Sequence, residues 1–321
     1  MENKNPILLP DFSDLSVVVI GDIMTDRYIS GVVRRISPEA PVHVVDMEST
    51  ENRPGGAANV AMNLLALGAK VTLLSITGDD NEGDFLNEIC ADNGRISNKI
   101  IRVSGRKTTV KTRVMAGNQQ LLRIDDEDTM EISQDIANII IRNLDFLMKE
   151  KKADGVILQD YNKGLLSEYL IQKIISLCND NDIPTFVDPK EKNFFAYKGC
   201  TVFKPNRKEA QQATGNFNKD YDAIAFDIQK TLSNKITMIT LGSEGLFIKN
   251  HDLGIKYPTA PRVIADVCGA GDSVISIVGV SYLKGLSLPL IARIANIAGG
   301  QVCEKPGVAL VNRSDIQKEL N

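Results

Sequence analysis

Short apolar runs alternate with helix-like patterns along most of the chain. Residues 17–20 are all apolar and β-branched, which predicts a strand buried on both faces. In residues 57–67 the apolar positions Val60, Leu64 and Leu67 share one helical face, and Gly68 follows as a left-handed stop. Residues 71–76 return to strand character, closing a strand, helix, strand unit. The alternation continues through a helix at 132–152 that ends on lysines, a strand at 155–158, a helix at 167–180, and strands at 185–187 and 236–241. A last helical run begins near Ala270. This pattern predicts an α/β fold with a mostly parallel sheet between two layers of helices.

Two stretches break the alternation. Residues 28–47 and 100–124 show period-two, β-branched character, carried by Val32, Val33, Val42, Val44 and Val45 in the first and Val103, Val110, Val114, Leu121 and Ile124 in the second. They predict a small β-sheet inserted into the core as a lid over the carboxyl ends of the parallel strands, where open α/β sheets bind ligands. No internal repeat, low-complexity tract or Pro/Gly/Ser-rich linker divides the chain, so residues 1–321 read as one domain with a lid.

Composition narrows the classes. The chain has 321 residues, 43% hydrophobic and 24% charged, ordinary usage for a folded globular protein. With 37 Lys and Arg against 41 Asp and Glu the net charge is −4, so there is no global basic field for nucleic acid or an anionic membrane, and any anion site is built locally. The 5 cysteines are scattered without a C-x-x-C pair, which reads as free thiols in a reducing compartment. The first residues lack a signal-peptide core, and no apolar run reaches the roughly 18–20 residues of a membrane span, so a cytoplasmic protein is expected.

The densest chemistry lies in Asp266-Val267-Cys268-Gly269-Ala270-Gly271-Asp272-Ser273, just before the last helical run. Gly269, Ala270 and Gly271 open a helix whose first amides and dipole favour an anion. Asp272 stands in the first turn. A carboxylate there is favourable without catalysis, and spacing alone leaves that reading open. Beside an anion hole, however, a carboxylate can accept the hydroxyl proton in phosphoryl transfer to an alcohol. A second stretch, Arg53-Pro54-Gly55-Gly56-Ala57-Ala58-Asn59-Val60-Ala61, pairs two glycines with an Asn whose amide both donates and accepts. Gly55 and Gly56 could serve only a tight turn; with Asn59 they would also suit a sugar hydroxyl.

Together these stretches resemble the ribokinase-like (PfkB-type) carbohydrate kinases. Gly55, Gly56, Asn59 and Ala61, with Gly68 and Gly78 after them, match the first family motif, and residues 266–272 match the second. Pro205-Asn206-Arg207-Lys208-Glu209 and Thr240-Leu241-Gly242-Ser243-Glu244-Gly245 match two elements between them. The resemblance covers nearly the whole chain and implies the family's ribokinase-like three-layer core and β-lid. It implies Asp272 as the base, with the amides of residues 269–271 as the anion hole. Asn206 and Glu209 are implied as organisers of Mg²⁺ through waters, a task for hard oxygen donors, although a capping box alone would also explain the pair. Thr240, Gly242 and Gly245 are implied at the ATP phosphates, Asn296 near the adenine, and Asp266 at the position where some members use a monovalent cation such as K⁺.

Residues 21–28, 34–42, 53–61, 118–125 and 188–190 are similar, at the subfamily level, to kinases that phosphorylate D-glycero-β-D-manno-heptose 7-phosphate at O1 on the route to ADP-heptose and lipopolysaccharide core. A phosphorylated sugar needs cations, which Arg34, Arg35, Lys111, Arg113 and Arg123 of the lid segments and Lys190 could supply, the alternative being solvated strand-face charges. Asp26 matches a sugar-contacting carboxylate of the family, and Asp22 reads as fixing a turn. Exposed lid edges and the habit of similar enzymes imply a homodimer. Only His43 and His251 are present, so the His-x-Gly-His motif of a second, nucleotidyl-transferring domain is missing, and residues 299–308 read as the edge of the kinase domain. A separate adenylyltransferase is therefore expected. The competing readings are another kinase of the same fold, acting on fructose 1-phosphate, another ketose phosphate or a free sugar, and a catalytically weak sugar-phosphate sensor. A dinucleotide-binding oxidoreductase is disfavoured because no G-x-G-x-x-G follows the first strand.

Overall fold

The computed structural model describes residues 7–91 and 96–321. Its strands are β1 (Ser16–Gly21), β2 (Ile23–Ile36), β3 (His43–Gly56), β4 (Lys70–Gly78), β5 (Ile96–Val103), β6 (Val110–Ala116), β7 (Gln119–Asp126), β8 (Gly155–Gln159), β9 (Thr185–Asp188), β10 (Val202–Phe203), β11 (Ile236–Thr240), β12 (Leu246–Lys249) and β13 (Gly254–Tyr257). The helices are α1 (Ala57–Leu67), α2 (Asn81–Ala91), α3 (Gln134–Lys149), α4 (Glu168–Asp180), α5 (Arg207–Thr214), α6 (Tyr221–Leu232), α7 (Ala270–Leu283), α8 (Leu288–Cys303) and α9 (Arg313–Leu320).

Nine strands form one sheet in the order β13-β12-β11-β10-β9-β8-β1-β4-β5. All neighbours run parallel from β5 to β11, and only β12 and β13 pair antiparallel at one edge. Successive strand residues point to opposite faces, and the core divides accordingly. Val17, Val19, Leu73, Ile157, Phe186 and Met238 pack in one cluster with α1, α7 and α8. Val18, Ile20, Leu74, Leu158, Val187 and Ile239 pack in the other with α3, α4 and α6. The three predicted layers are present, and both faces of the sheet are dry. All five cysteines are unpaired.

The second sheet has four strands in the order β3-β2-β6-β7. It is the predicted lid with different borders. Its first segment is a long hairpin of residues 23–56, not 28–47, because β2 and β3 stay paired down to Ile23 and Gly56. Its second spans residues 110–126, not 100–124. Residues 100–103 belong to β5, which extends the core sheet beside β4, since Ile100 packs against one core cluster and Ile101 and Val103 against the other. Among the described residues no helix is long and apolar enough to cross a membrane.

Candidate active site

α7 starts where the carboxyl ends of β8, β9 and β10 meet the lid. Gly269 caps it with φ 77°, a left-handed conformation, and a side chain there would also stand 2.9 Å from the Asn59 amide nitrogen. Ala270, Gly271 and Asp272 form the first turn, which puts Asp272 beside helix amides that lack intrahelical partners. The Asp272 side chain is buried, and three donors surround it. Asn59 Nδ2 donates to Oδ2 at 2.7 Å; Gln159 Nε2 and the Tyr161 hydroxyl donate to Oδ1 at 3.0 and 2.8 Å. Burial pushes its pKa up to about 7, with the Asp188 charge helping and the Asn59 and Tyr161 donors opposing. A carboxyl so poised is an ionised proton acceptor above neutral pH.

Beside it opens a cleft of about 600 Å³. Lys190, Lys204, Arg207 and Lys208 line it against only Asp188 and Glu209, four basic to two acidic groups in a chain of net charge −4. This is a local excess of positive charge in an acidic chain. Lys204 is 2% exposed and pairs with Asp188 Oδ1 at 3.0 Å, while Asp188 Oδ2 accepts from Gln159 at 3.1 Å. A Cβ on Gly271 would lie 3.7 Å from the Lys204 ammonium, so this buried cation stands next to the opening of α7. Lys190 pairs with Glu209 on the same wall.

Asn206 and Glu209 form a complete capping box at the start of α5: Glu209 N donates to Asn206 Oδ1 at 2.9 Å and Asn206 N to Glu209 Oε2 at 2.8 Å. Both line the cleft, as do Thr240, Gly242, Gly269 and Gly271. Gly245 and Asn296 do not. A side chain at Gly245 would strike the Tyr257 carbonyl oxygen at 2.1 Å, and Asn296 donates to that carbonyl at 3.0 Å, so both residues shape the end of β13. Asp266 accepts from the Cys268 and Gly307 amides at 2.9 and 3.2 Å, fastening the loop before α7 to the segment before α9.

The lid splits its expected residues into two sets. Asp26, Tyr28, Arg53, Lys111 and Arg113 share one face, because Asp26 pairs in register with Arg53 and Lys111, and Tyr28 with Arg113. Asp26 and Arg113 form a buried ion pair there, and the Arg113 and Arg53 guanidiniums stand 5.3 and 5.1 Å from the Tyr28 ring centroid. A Cβ on Gly55 would stand 2.1 Å from Asp26 Oδ2, and one on Gly56 2.3 Å from the Asp22 carbonyl oxygen. These glycines thus admit the first lid strand. Asn59 turns its amide to Asp272. Lys111 pairs with Asp125 and Glu127 at 3.0 and 3.3 Å, and Arg123 pairs with Asp125 at 2.9 Å in a more exposed position. Arg34 and Arg35 lie far along β2, roughly 26 Å from Asp26 at about 3.3 Å per residue, and are exposed. The fold of this chain does not bring them to Asp272.

The sequence reading missed Gln159, Tyr161 and Lys204, and it quoted Asp188 without giving it a role. A polar Gln-Asp-Tyr directly after an apolar strand, and a Lys after Val202-Phe203, were the available signals, since strand ends of a parallel sheet are where sites form. Asp22 fixes a turn as expected, accepting from the Tyr161, Lys163 and Leu165 amides.

Residues 14–315 match the model of the pfkB family carbohydrate kinases. The chain belongs to this family. It is accordingly an ATP-dependent sugar kinase by class. A protein of Desulfatibacillum aliphaticivorans named "Bifunctional protein HldE" is 40% identical over 325 residues, covering 99% of this chain and 66% of its own length. One of the same name from Campylobacter curvus is 37% identical over 311 residues, covering 95% of this chain and 65% of its own. The chain thus spans about two thirds of the length of these relatives. Phosphofructokinase-2 from Escherichia coli, in a complex with potassium, superposes with a TM-score of 0.80 at 20% identity, over 95% of this chain and 98% of that one. Ribokinase of Arabidopsis thaliana complexed with ribose and ATP gives 0.74 at 18% identity, over 96% and 99%. The pfkB kinase has the ribokinase-like fold.

Proposed function

We propose that this kinase phosphorylates D-glycero-β-D-manno-heptose 7-phosphate at O1 with ATP, yielding the 1,7-bisphosphate. The observation that carries the chemistry is Asp272, buried beside the first turn of α7 and next to a cleft lined by four cations. ATP lies in that cleft with its phosphates toward Lys190, Lys204 and the residues 269–271 amides, and the sugar lies between Asp272 and the inner lid face. Asp272 takes the O1 proton as O1 attacks the γ-phosphorus in line, and the helix amides and Lys204 receive the charge. Water is excluded by the lid, which limits ATP hydrolysis. On that face Asp26 bonds a sugar hydroxyl, and Lys111, Arg113 and Arg123 serve the distal phosphate.

Asn206 and Glu209 would hold, through waters, an Mg²⁺ ion that would offset the charge of the ATP phosphates. Both residues line the cleft and offer the hard oxygen donors that the waters of such an ion would need. Asp266, with its loop already tied down, is the proposed neighbour of a monovalent cation. The sugar assignment is supported by the subfamily-level stretches and by the relatives named HldE. A product carrying phosphate on its anomeric carbon suits later nucleotidyl transfer by an adenylyltransferase. A cytoplasmic homodimer joined through the lid completes the proposal, supported by the exposed apolar residues Ile36, Val42, Met47, Leu122 and Ile124 on that sheet and its hairpin.

The test is ADP release with Mg²⁺ on the β-heptose 7-phosphate, its α-anomer, fructose 1-phosphate and ribose, with phosphate positions read by NMR. Strong preference for the β-heptose and phosphate on O1 is expected. Preference for another sugar overturns the substrate; no turnover on any overturns the kinase chemistry and favours a sensor.

A further inference from the structure

The chain crosses between core and lid at four places, and three of these bond directly to one short loop, residues 160–165. Before β2, Asp22 accepts from the Tyr161, Lys163 and Leu165 amides at 2.9, 3.0 and 3.2 Å. Before β6, Arg106 donates to the Lys163 carbonyl and, at 2.9 and 3.3 Å, to the Met130 and Asp128 carbonyls that follow β7. After β7, the Ile132 amide donates to the Gly164 carbonyl at 3.0 Å, and Glu127 pairs with Lys163 at 2.7 Å. The fourth crossing, after β3, reaches the same point indirectly, since the Ala57 amide donates to the Asp22 carbonyl at 2.9 Å. The root of the lid is therefore bonded to a loop of the core.

That loop presents Tyr161 to Asp272. An ionised carboxylate offers about four acceptor sites, and Asn59, Gln159 and Tyr161 together occupy three of them. Asn59 stands on α1 and Gln159 at the end of β8, both parts of the core. Tyr161 alone among the three is carried by the loop that the lid root holds.

We propose that Tyr161 is a positioning residue for the base, and that Arg106 sets the place of its hydroxyl by fastening loop 160–165 to the lid crossings. Movement of the lid then changes the donors on Asp272: when closure draws the loop, the Tyr161 bond lengthens and one acceptor position on Oδ1 opens to the sugar hydroxyl, the other staying with Gln159. The inference rests on the reading of Asp272 as the base. The other charged groups facing Asp272 are Asp188 of β9 and Lys204 after β10, and Asp26 of the lid acts on Tyr161. α1 contributes the neutral Asn59.

Asp272 itself is titrated by carbon-13 NMR of its carboxyl group in the unaltered chain, Tyr161→Phe, Arg106→Gln and the double variant. The pH profile of kcat/KM is measured on the same four proteins with whichever sugar turns over. Tyr161→Phe removes a donor that favours the anion, so the midpoint rises by roughly one pH unit. Arg106→Gln raises it by less, and the double variant matches Tyr161→Phe alone, because Arg106 acts through Tyr161. The phenylalanine keeps the aromatic ring facing Lys190, 5.6 Å from its ammonium. Where Arg106→Gln fails to fold, Arg106→Lys replaces it with the same direction expected. An unchanged titration in Tyr161→Phe overturns the proposal, as does full additivity in the double variant. If the titration moves but the acid limb of kcat/KM stays fixed, the Tyr161 role stands and the base role of Asp272 is what fails.

Discussion

At the carboxyl ends of the core strands, Lys204 meets Asp188 at 3.0 Å with both side chains almost fully buried. On the lid, Arg123 meets Asp125 at 2.9 Å, two residues along the same strand, and Arg53 meets Glu51 at 2.7 Å in the same way. The distances are alike and the consequences differ. An exposed pair gains about 0–1 kcal/mol, because water already solvates both partners. A buried pair depends on each partner, since removing one leaves an uncompensated charge. The core thus holds Lys204 and Asp188 in fixed places beside the opening of α7. The lid holds Asp26 and Arg113 in the same buried way on its inner face, while Arg123–Asp125 and Arg53–Glu51 stand closer to water.

The largest effect expected from this contrast is catalytic. Asp272→Asn should lower kcat by roughly 10²- to 10⁴-fold, the usual contribution of a general base, with an unchanged circular-dichroism spectrum; near-normal ADP release would remove Asp272 from that role. Next is Lys204→Met, which strands Asp188. A loss of about 3–5 kcal/mol in urea unfolding is expected, against no more than about 1 kcal/mol for Arg123→Ala. Equal losses would dissolve the distinction between the two regions.

The pH dependence sharpens it further. Asp272 has its pKa raised to about 7, so it is ionised only above that value, and kcat/KM should fall as pH drops through about 7. Stability has the opposite sign. A carboxyl whose folded pKa is raised binds its proton more tightly when folded, so its contribution is full below the unfolded value and is lost as pH rises through about 7. The unaltered chain should therefore lose stability relative to Asp272→Asn between pH 5 and pH 8, measured by paired urea titrations. The smallest effect is expected from Arg34→Ala and Arg35→Ala, about twofold or less on KM for the sugar phosphate when the protein is monomeric. A much larger change that appears only at dimer-forming concentrations would mean that the lid tip serves the partner's site.

Much of this was readable in the chain itself. The helix starts follow from local chemistry: Asn206 and Glu209 close their capping box within three residues, and Ser133 and Ser167 cap α3 and α4. The lid borders were harder. Residues 100–103 alternate like a lid strand, yet they sit in the core sheet because both of their faces find apolar cover. Periodicity records that a residue is buried and says nothing of which sheet buries it.

The sequence by itself determined the alternation of strands and helices, the glycine turn that opens α7, and the presence of a carboxylate in its first turn. These depend on neighbours within a few positions, where backbone conformation and capping are decided. Only the tertiary structure decided what Asp272 is. Its donors come from 213, 113 and 111 residues away, on α1, at the end of β8 and on the loop beyond it. Burial among them raises its proton affinity while the bonds of Asn59 and Tyr161 hold it down, and no local pattern encodes such a meeting because it exists only when the sheet, both helix layers and the lid root are packed together.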